Sequence, residues 1–298
     1  MTESCPAQYG EWQFWIDRGG TFTDIVTLRP DGALETAKLL SENPEQYDDA
    51  AAEGIRRALE RWTAAGRPDC PVAAIKMGTT VATNALLERR GTKTALVVTR
   101  GFADSLLIGY QNRPDIFALN IVKPEPLYAR VIEATERITA DGEVLLDLDE
   151  EEVVAALEDC SAEGTRSLAI CLLHGYRFPL HEKRIADFAR RLGFAQVSVS
   201  HEVEPLVKFV SRAETTLADA YLTPVLDRYI DNLKAALARF ARPRRLMFMQ
   251  SNGGLVLADA FRGKDSILSG PAAGVVGMVE TATAAGFDKL IGFDMGGT

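Results

Sequence analysis

The sequence predicts an α/β fold, because strand-like and helix-like segments alternate along most of its 298 residues. The alternation is clearest between residues 72 and 108 and returns between residues 167 and 200, where short apolar segments precede segments with helical spacing of apolar residues. Such alternation is typical of helices packed against a mixed sheet. The predicted strand and helix pairs are 72–77 with 81–89, 95–98 with 102–108, and 167–173 with 181–192, followed by a strand at 196–200.

The chain begins with antiparallel rather than alternating structure. Residues 25–28 and 34–39 have strand character, and the segment 30–32 between them is a turn sequence. A helix is predicted from Asp48 to about Gly66, because its apolar residues recur every three or four positions.

Proline positions mark the irregular parts of the sequence. Residues 111–129 contain three prolines and are predicted to form a loop that crosses the surface or a cleft and contacts substrate. A long helical span at 214–241 contains Pro224, which should end or kink it. Residues 242–245 look like a linker before a strand at 246–249. We therefore predict a tail at 1–13, a first region at 14–241 and a second region at 242–298.

The composition is that of a soluble globular protein, with 47% apolar and 25% charged residues. The net charge of −9 and the absence of a Lys/Arg run argue against a nucleic-acid partner. No apolar stretch approaches membrane-spanning length, and the four cysteines and three histidines show no metal-ligand spacing. We expect a cytoplasmic protein without membrane association, in which Cys171 is a buried reduced thiol.

The most informative feature is a motif that occurs twice. Asp-x-Gly-Gly-Thr begins at Asp17 and again at Asp294, each time after a short apolar segment that we predict to be a strand. Glycines lack a Cβ atom, so the turn can adopt positive φ and bring its amides close to phosphate oxygens. A carboxylate cannot face a polyphosphate without a divalent cation between them, and magnesium is the usual choice. One copy could be an ordinary hairpin, whereas two copies indicate a nucleotide held between two phosphate-binding turns.

The second copy stops at Thr298, whereas the first continues into Phe22, Thr23 and Asp24. We therefore expect these residues to belong to a longer enzyme.

Two further segments add polar groups. Residues 269–274 form a glycine-rich entry to a helix predicted at 275–285, which favours an anion, although a tightly packed turn is the alternative. Residues 77–88 pass from a strand through a turn into a helix, where Thr79 or Thr80 could cap the helix. These threonines could instead line a pocket for a small polar substrate. The P-loop pattern is absent, which excludes a P-loop NTPase, and the glycine spacing disfavours a dinucleotide-binding fold.

Seven segments carry a resemblance, in order, along nearly the whole chain. They are 17–24, 78–84, 99–102, 136–138, 249–254, 269–274 and 292–298. Together they resemble the hydantoinase/5-oxoprolinase family. Within it, residues 39–47, 207–210 and 218–224 are more similar to the single-chain 5-oxoprolinases than to hydantoinase A subunits.

The resemblance implies an α/β, actin/Hsp70-like (ribonuclease-H-like) ATPase module with two lobes, the second of them truncated in this chain. It implies that ATP and Mg²⁺ bind there, with Asp17 and Asp294 as catalytic residues that hold the metal. The residues expected to bind the phosphates are Gly19, Gly20, Thr21, Thr23, Asp24, Gly270, Gly274, Gly296, Gly297 and Thr298. The candidate substrate residues are Thr79, Thr80, Asn84 and Arg113, of which Arg113 could grip a carboxylate or only anchor its loop.

The implied activity is ATP-dependent hydrolysis of 5-oxo-L-proline to L-glutamate through phosphorylation of the lactam oxygen. In the family, ring opening depends on a B-type hydantoinase module, supplied in cis or in trans, so this chain alone is expected to be inactive. Two alternatives remain open: the ATPase part of an N-methylhydantoinase or ketone carboxylase, and a truncated binding protein without catalysis. The sequence does not determine the oligomeric state, and a homodimer is one option.

Overall fold

The computed structural model describes residues 6, 8–111, 115–293 and 295. The elements in chain order are β1 (Trp12–Arg18), β2 (Phe22–Leu28), β3 (Leu34–Leu40), α1 (Ala50–Ala64), β4 (Val72–Thr79), α2 (Val81–Leu87), β5 (Thr94–Thr99), α3 (Ser105–Ile108), β6 (Tyr128–Ala134), β7 (Arg137–Ile138), β8 (Val144–Leu146), α4 (Glu150–Ala162), β9 (Ser167–Cys171), α5 (Leu180–Arg191), β10 (Gln196–Val199), α6 (Ser200–Val203), α7 (Phe209–Leu237), β11 (Arg245–Met249), β12 (Leu255–Leu257), α8 (Gly263–Ser266) and α9 (Ser269–Ala284), with a short 3₁₀ helix at Ala258–Ala260.

The chain divides into two compact units. Unit 1 comprises Met1–Glu88 and Leu226–Thr298, and unit 2 comprises Arg89–Val225. Unit 1 is therefore built from two segments that are far apart in sequence. The division at residue 241 that the sequence pattern suggests stays a prediction.

Unit 1 is organised around a six-stranded sheet in the order β12-β11-β4-β1-β2-β3. Strands β1, β4 and β11 run parallel to one another, whereas β2 and β3 continue the sheet as an antiparallel meander. Alternate side chains of β1, namely Trp12, Phe14 and Ile16, are buried, as expected for a strand with one face in the core. The predicted antiparallel beginning of the chain is confirmed.

Helix α1 covers part of this sheet. Asp49 caps the helix, because its side chain accepts a hydrogen bond from the Ala52 amide at 2.8 Å. The spacing of Ile55, Leu59 and Trp62 predicted a helix here, and in the structure Ile55 and Trp62 are buried on its inner face while Leu59 is half-buried.

Unit 2 contains a four-stranded parallel sheet in the order β10-β9-β5-β6. Every residue of β5 and β9 is buried. Ala95 and Val97 pack in a cluster with side chains of α4 and α5, whereas Leu96 and Val98 pack with side chains of α7. Helices therefore cover both faces of the sheet, which is why its strands are continuously apolar rather than alternating.

A buried polar network ties together the carboxyl ends of the strands in unit 2. Arg212 is completely buried, and its guanidinium donates to the backbone carbonyls of Leu172, Leu173, Leu206 and Val207 and to the Ser200 hydroxyl. Glu182, also completely buried, accepts from the Leu172 amide and from Ser200 and His201. Both charges thus have hydrogen-bond partners, which a buried charge requires.

An end or a kink of the helix was expected at Pro224; helix α7 continues through it, so the end is wrong and the kink stays a prediction. Proline has no amide hydrogen to donate to the carbonyl four residues earlier, which belongs to Ala220. The buried hydroxyl of Ser167 donates to that carbonyl at 2.6 Å instead. The Ser167 hydroxyl, which lies outside the helix, therefore takes the place of the donor that Pro224 lacks. The Thr92 amide also donates to the next carbonyl of the helix, that of Tyr221, at 3.0 Å.

Two other predictions need correction, and two elements were not predicted. Helix α9 begins at Ser269, so the glycine-rich segment forms its first turns and does not precede it. Strand β6 and helix α4 were not predicted. Residues 290–293 form no strand, and the side chains of Ile291 and Phe293 are 98% and 88% exposed. A strand needs a neighbour for its backbone groups, and no described strand pairs with this segment.

Within the described ranges, no helix is both long enough and apolar enough to cross a membrane.

Candidate active site

Three parallel strands of unit 1 end at the same edge of the sheet, and each is followed by a polar turn. The glycine turn of residues 19–21 follows β1, Thr80 follows β4, and the hairpin of residues 250–254 follows β11. Carboxyl ends of parallel strands are where ligands bind in α/β folds. The first motif and the turn after β4 are therefore brought together, as their predicted roles require.

The first turn is closed by a hydrogen bond from the Gly19 amide to the carbonyl of Phe22, at 3.1 Å. A Cβ atom on Gly19 would lie only 3.0 Å from that carbonyl oxygen, and its φ is outside the left-handed region. Gly19 does not use the positive φ that glycine allows, and close approach of the backbone is what favours glycine here. Gly20 and Thr21 are exposed at the tip, where their amides donate to no residue that the structure describes.

Thr23 lies beneath the turn rather than on its surface. It is completely buried, and its hydroxyl is 3.0 Å from that of Ser41, which in turn donates to the Gly19 carbonyl at 2.7 Å. Thr23 therefore supports the shape of the turn through Ser41. Its predicted contact with phosphate stays a prediction.

Asp17 and Asp24 are opposite each other on β1 and β2, and both are exposed. Asp17 also lies opposite Gly78 of β4, so its carboxylate sits between two of the polar turns. Asp24 forms an ion pair with Lys38, with both oxygens 2.9 Å from the ammonium nitrogen. Asp17 lies near the carboxyl end of β1, just before the turn of residues 19–21, and is exposed, so its carboxylate is accessible to a metal and phosphates.

Arg18 anchors the same turn from the other side of β1. Its guanidinium lies over the ring of Tyr229, 5.1 Å from the centroid, and its Nε is 3.9 Å from the Asp49 carboxylate. Burial, together with the nearby Asp49 carboxylate, raises the pKa of the Tyr229 phenol. Tyr229 is thus a neutral phenol that supports the Arg18 side chain.

The turn after β4 uses its hydroxyls within the protein. Thr80 is the N-cap residue of α2, but its hydroxyl and amide both approach the Arg18 carbonyl, at 3.3 Å and 3.1 Å. Thr79 is buried, and its hydroxyl accepts from the Val81 amide at 3.2 Å. Asn84 is half-buried on α2. The predicted substrate role of these residues remains untested, although the hydroxyls of Thr79 and Thr80 already have partners.

The amino end of α9 is the third part of the site. Its first intrahelical bond runs from the Ala272 amide to the Leu268 carbonyl, and Pro271 has no amide hydrogen. The amides of Ser269 and Gly270 donate to nothing within the described part of the chain. Nothing lies within 4 Å of the positions that Cβ atoms on Gly270 and Gly274 would take. The structure thus leaves open space beside both predicted phosphate-binding glycines.

Several predicted site residues lie outside the described ranges. They are Arg113, Asp294, Gly296, Gly297 and Thr298.

The sequence did not predict the bonds by which hydroxyl side chains shape the site. The side chains of Ser41, Thr83, Ser251 and Ser269 all bond to the backbone of the turns described above or of the residues just before α9. Hydroxyl residues beside glycine-rich turns indicate that such bonds form. The sequence does not show which carbonyls accept them, because donor and acceptor are far apart along the chain.

The donor set fits Mg²⁺ bound together with a polyphosphate. Magnesium in such sites typically takes one or two carboxylates and completes its shell with phosphate oxygens and water. Asp17 offers one exposed carboxylate, beside the unbonded amides of Gly20 and Thr21. No group of three or more His, Cys, Asp or Glu side chains in the described ranges is arranged to hold a metal ion. A metal shared with phosphates does not need such a group.

Comparison with known proteins identifies the class. The family model described as the hydantoinase/oxoprolinase N-terminal region matches residues 13–193, and the one described as hydantoinase/oxoprolinase matches residues 212–298. The structure of an ATP-dependent caprolactamase from Pseudomonas jessenii has a TM-score of 0.81 and 32% identity, covering 96% of this chain and 42% of that one. Acetone carboxylase, at 23% identity and a TM-score of 0.78 over 92% of this chain and 41% of that one, shares the fold. The predicted α/β ATPase-module fold class is confirmed.

The chain belongs to the hydantoinase/oxoprolinase family. It is 44% identical to a 5-oxoprolinase of Saccharomyces cerevisiae over 98% of this chain, and 43% identical to 5-oxoprolinase 1 of Arabidopsis thaliana over 97%. It spans about a quarter of the length of each of these relatives.

Proposed function

We propose that the protein containing these residues hydrolyses 5-oxo-L-proline to L-glutamate at the expense of ATP, and that this chain supplies part of the ATP site. The identity of 44% and 43% to 5-oxoprolinases, against 33% to a caprolactamase alpha subunit, supports this substrate. The structural observation that carries the proposal is the exposed Asp17 carboxylate at the edge where β1 and β4 end.

The chemistry explains why ATP is needed. A five-membered lactam is an unstrained amide with a poorly electrophilic carbonyl carbon. Transfer of the γ-phosphoryl group to the lactam oxygen, with ADP leaving, makes that oxygen a leaving group. Water then attacks the carbon, the ring C–N bond breaks and the nitrogen takes a proton. A second water hydrolyses the resulting acyl phosphate, which gives L-glutamate and inorganic phosphate.

The residues of this chain serve the phosphoryl transfer by positioning and charge. Such transfers depend mainly on alignment and neutralisation of negative charge, so no nucleophilic side chain is required. In the proposal the amides of Gly20 and Thr21 donate to phosphate oxygens and Asp17 binds Mg²⁺. A bound Mg²⁺ would neutralise phosphate charge. Asp294 and the glycines at 296 and 297 would form the second turn.

Ring opening is assigned to a B-type hydantoinase module, in cis or in trans. We also propose that the protein works in the cytoplasm and that the assembly is a homodimer; gel filtration with light scattering would test the latter.

Substrate choice can be tested with the complete polypeptide that contains these residues. ADP formation would be measured with 5-oxo-L-proline, hydantoin, caprolactam, or acetone with bicarbonate, and L-glutamate would be quantified separately. We expect only 5-oxo-L-proline to stimulate ADP formation, with L-glutamate produced in equal amount. Stimulation by hydantoin or by acetone with bicarbonate alone would replace this proposal with the corresponding relative's activity.

The role of Asp17 needs a matched pair of variants. Asp17→Asn removes the charge that would hold the metal, and we expect lactam-dependent ADP formation to fall at least about 100-fold. Glu158→Gln changes another exposed carboxylate, on α4, and should leave the rate unchanged. Circular dichroism should show the same fold for both. Full activity of Asp17→Asn would show that the Asp17 carboxylate has no role in the reaction.

The chain of 298 residues alone should release no phosphate in response to 5-oxo-L-proline. Lactam-dependent phosphate release by this purified chain would show that the B-type module is not required.

A further inference from the structure

Hydrogen bonds from hydroxyl groups connect the turn after β4 to the first glycine turn and to the amino end of α9. These are the two segments of the site whose backbone amides have no partner among the described residues. On one side, Thr80 donates to the carbonyl of Arg18, directly before the first glycine turn. On the other side, Ser269 Oγ donates to the Thr79 carbonyl at 3.0 Å, and Thr83 Oγ1 donates to the Ile267 carbonyl at 2.7 Å. A single short segment, residues 79–83, therefore bonds to the first turn and to the amino end of α9.

These bonds hold the two residues that precede α9 and the first residue of the helix. Thr83 holds Ile267, and the Leu268 amide donates to the Ser251 hydroxyl at 3.0 Å. Ser269 is completely buried, and it is the only residue of α9 in that state. The other residues of α9 are half-buried or exposed, so these bonds contribute to the position of its amino end.

The position of that end matters because its free donors are few. Since Pro271 lacks an amide hydrogen, the unbonded amides at the start of α9 are those of Ser269 and Gly270. A donor displaced by about 1 Å loses much of its hydrogen-bond energy, and its effect on a positioned reactant falls accordingly.

We propose that Thr83 and Ser269 are positioning residues, which hold the amino end of α9 beside the first glycine turn. In that position the amides of the turn and those at the start of α9 donate hydrogen bonds to the same nucleotide. This inference rests on the proposed function, because it takes ATP as the ligand. In this inference the hydroxyls of the turn after β4 fix the geometry of the nucleotide site and do not contact the lactam.

Thr83 provides the sharper test, because it is half-buried and because valine has nearly the same side-chain volume as threonine. Thr83→Val removes the hydroxyl and Thr83→Ser keeps it. Calorimetric titration of the complete polypeptide with a slowly hydrolysed ATP analogue and Mg²⁺ would give Kd directly. Steady-state kinetics would give KM for ATP and KM for the lactam separately.

We expect Thr83→Val to raise Kd and KM for ATP about 3- to 10-fold, the range that loss of one hydrogen bond allows. KM for the lactam should not change, and Thr83→Ser should restore ATP binding. Ser269→Ala should resemble Thr83→Val, whereas Thr283→Ala, which removes an exposed hydroxyl near the other end of α9, should bind like the wild type. Thermal unfolding would show whether any variant has lost its fold.

The outcomes separate this inference from the function on which it rests. Unchanged ATP binding by Thr83→Val, or a rise only in KM for the lactam, would overturn the positioning role while leaving lactam-dependent ADP formation intact. Weaker ATP binding by Thr83→Val, in a protein whose ADP formation is not stimulated by 5-oxo-L-proline, would support the positioning role and contradict the proposed substrate. A wild-type protein that binds no nucleotide would overturn both.

Discussion

The carboxylate of Asp17 lies against the backbone of Gly78. The two residues are opposite each other on β1 and β4, and a Cβ atom on Gly78 would be 3.2 Å from Asp17 Oδ1. That spacing is tighter than about nine in ten contacts that real Cβ atoms make. Glycine at position 78 therefore lets the carboxylate occupy the end of the sheet.

Gly78→Ala should disturb the site more than the fold. The added methyl group would push the exposed Asp17 carboxylate by a few tenths of an ångström, and we expect kcat/KM for ATP to fall about 10-fold. Steady-state ADP formation would measure the change, and thermal unfolding should show only a small shift.

Gly277→Ala is the matched control for that substitution. Nothing lies within 4 Å of the position of its Cβ atom, and the residue is inside α9. We expect unchanged activity and a gain of about 0.5–1 kcal/mol in stability from the better helix former. Equal activities for the two alanine variants would show that the Asp17 position is not critical.

Arg212 should be essential for the stability of unit 2. Arg212→Met removes the donors to four carbonyls and leaves Glu182 without a nearby buried cation, so we expect a loss of about 3–5 kcal/mol in the free energy of unfolding. Urea unfolding would measure it. Arg228→Met, an exposed position on the same helix, should cost little. Similar midpoints for both variants would contradict a structural role for the network.

The stability of unit 1 should fall in acid through Asp31. Hydrogen bonds from Arg29 lower the pKa of Asp31 from 3.8 to about 2, with Arg67 contributing. A depressed pKa in the folded state stabilises the fold above the unfolded value, and that contribution is lost as pH falls from about 4 toward about 2. Because the group is near the surface, the effect should be modest and should weaken with salt.

Asp31→Asn isolates this effect, since the amide oxygen can still accept from the Ala33 amide. Urea midpoints of wild type and variant should differ at about pH 6 and converge toward about pH 3. Parallel pH profiles for the two proteins would assign the acid sensitivity elsewhere.

Cys171 should resist alkylation in the folded protein. Burial raises the pKa of its thiol to about 12, so very little thiolate forms at about pH 8. Mass spectrometry after iodoacetamide treatment should find Cys171 unmodified in the native protein and fully modified in concentrated urea. The same is expected of Cys160, whose pKa burial also raises. Rapid labelling of native Cys171 would mean that this part of unit 2 opens readily.

The buried strands β4, β5 and β9 were predictable, because their apolar runs are local signals. Helix α4 carried a signal that went unused: Asp149 caps it by accepting from the Glu152 amide. Continuation of α7 through Pro224 could not be predicted, because it depends on the hydroxyl of Ser167, which is 53 residues from Ala220. The first glycine turn was identified from its motif, whereas the supports from Ser41, Thr83 and Ser269 come from elsewhere in the chain.

The split of unit 1 across the sequence has a consequence for biosynthesis. Unit 2 is contiguous and can fold as soon as its residues have left the ribosome, whereas β4 must await β11, roughly 170 residues later. Until then β4 presents an open edge with unpaired backbone groups, which invites association with other nascent chains. We expect the emerging polypeptide to depend on chaperones during that interval more than the finished molecule does.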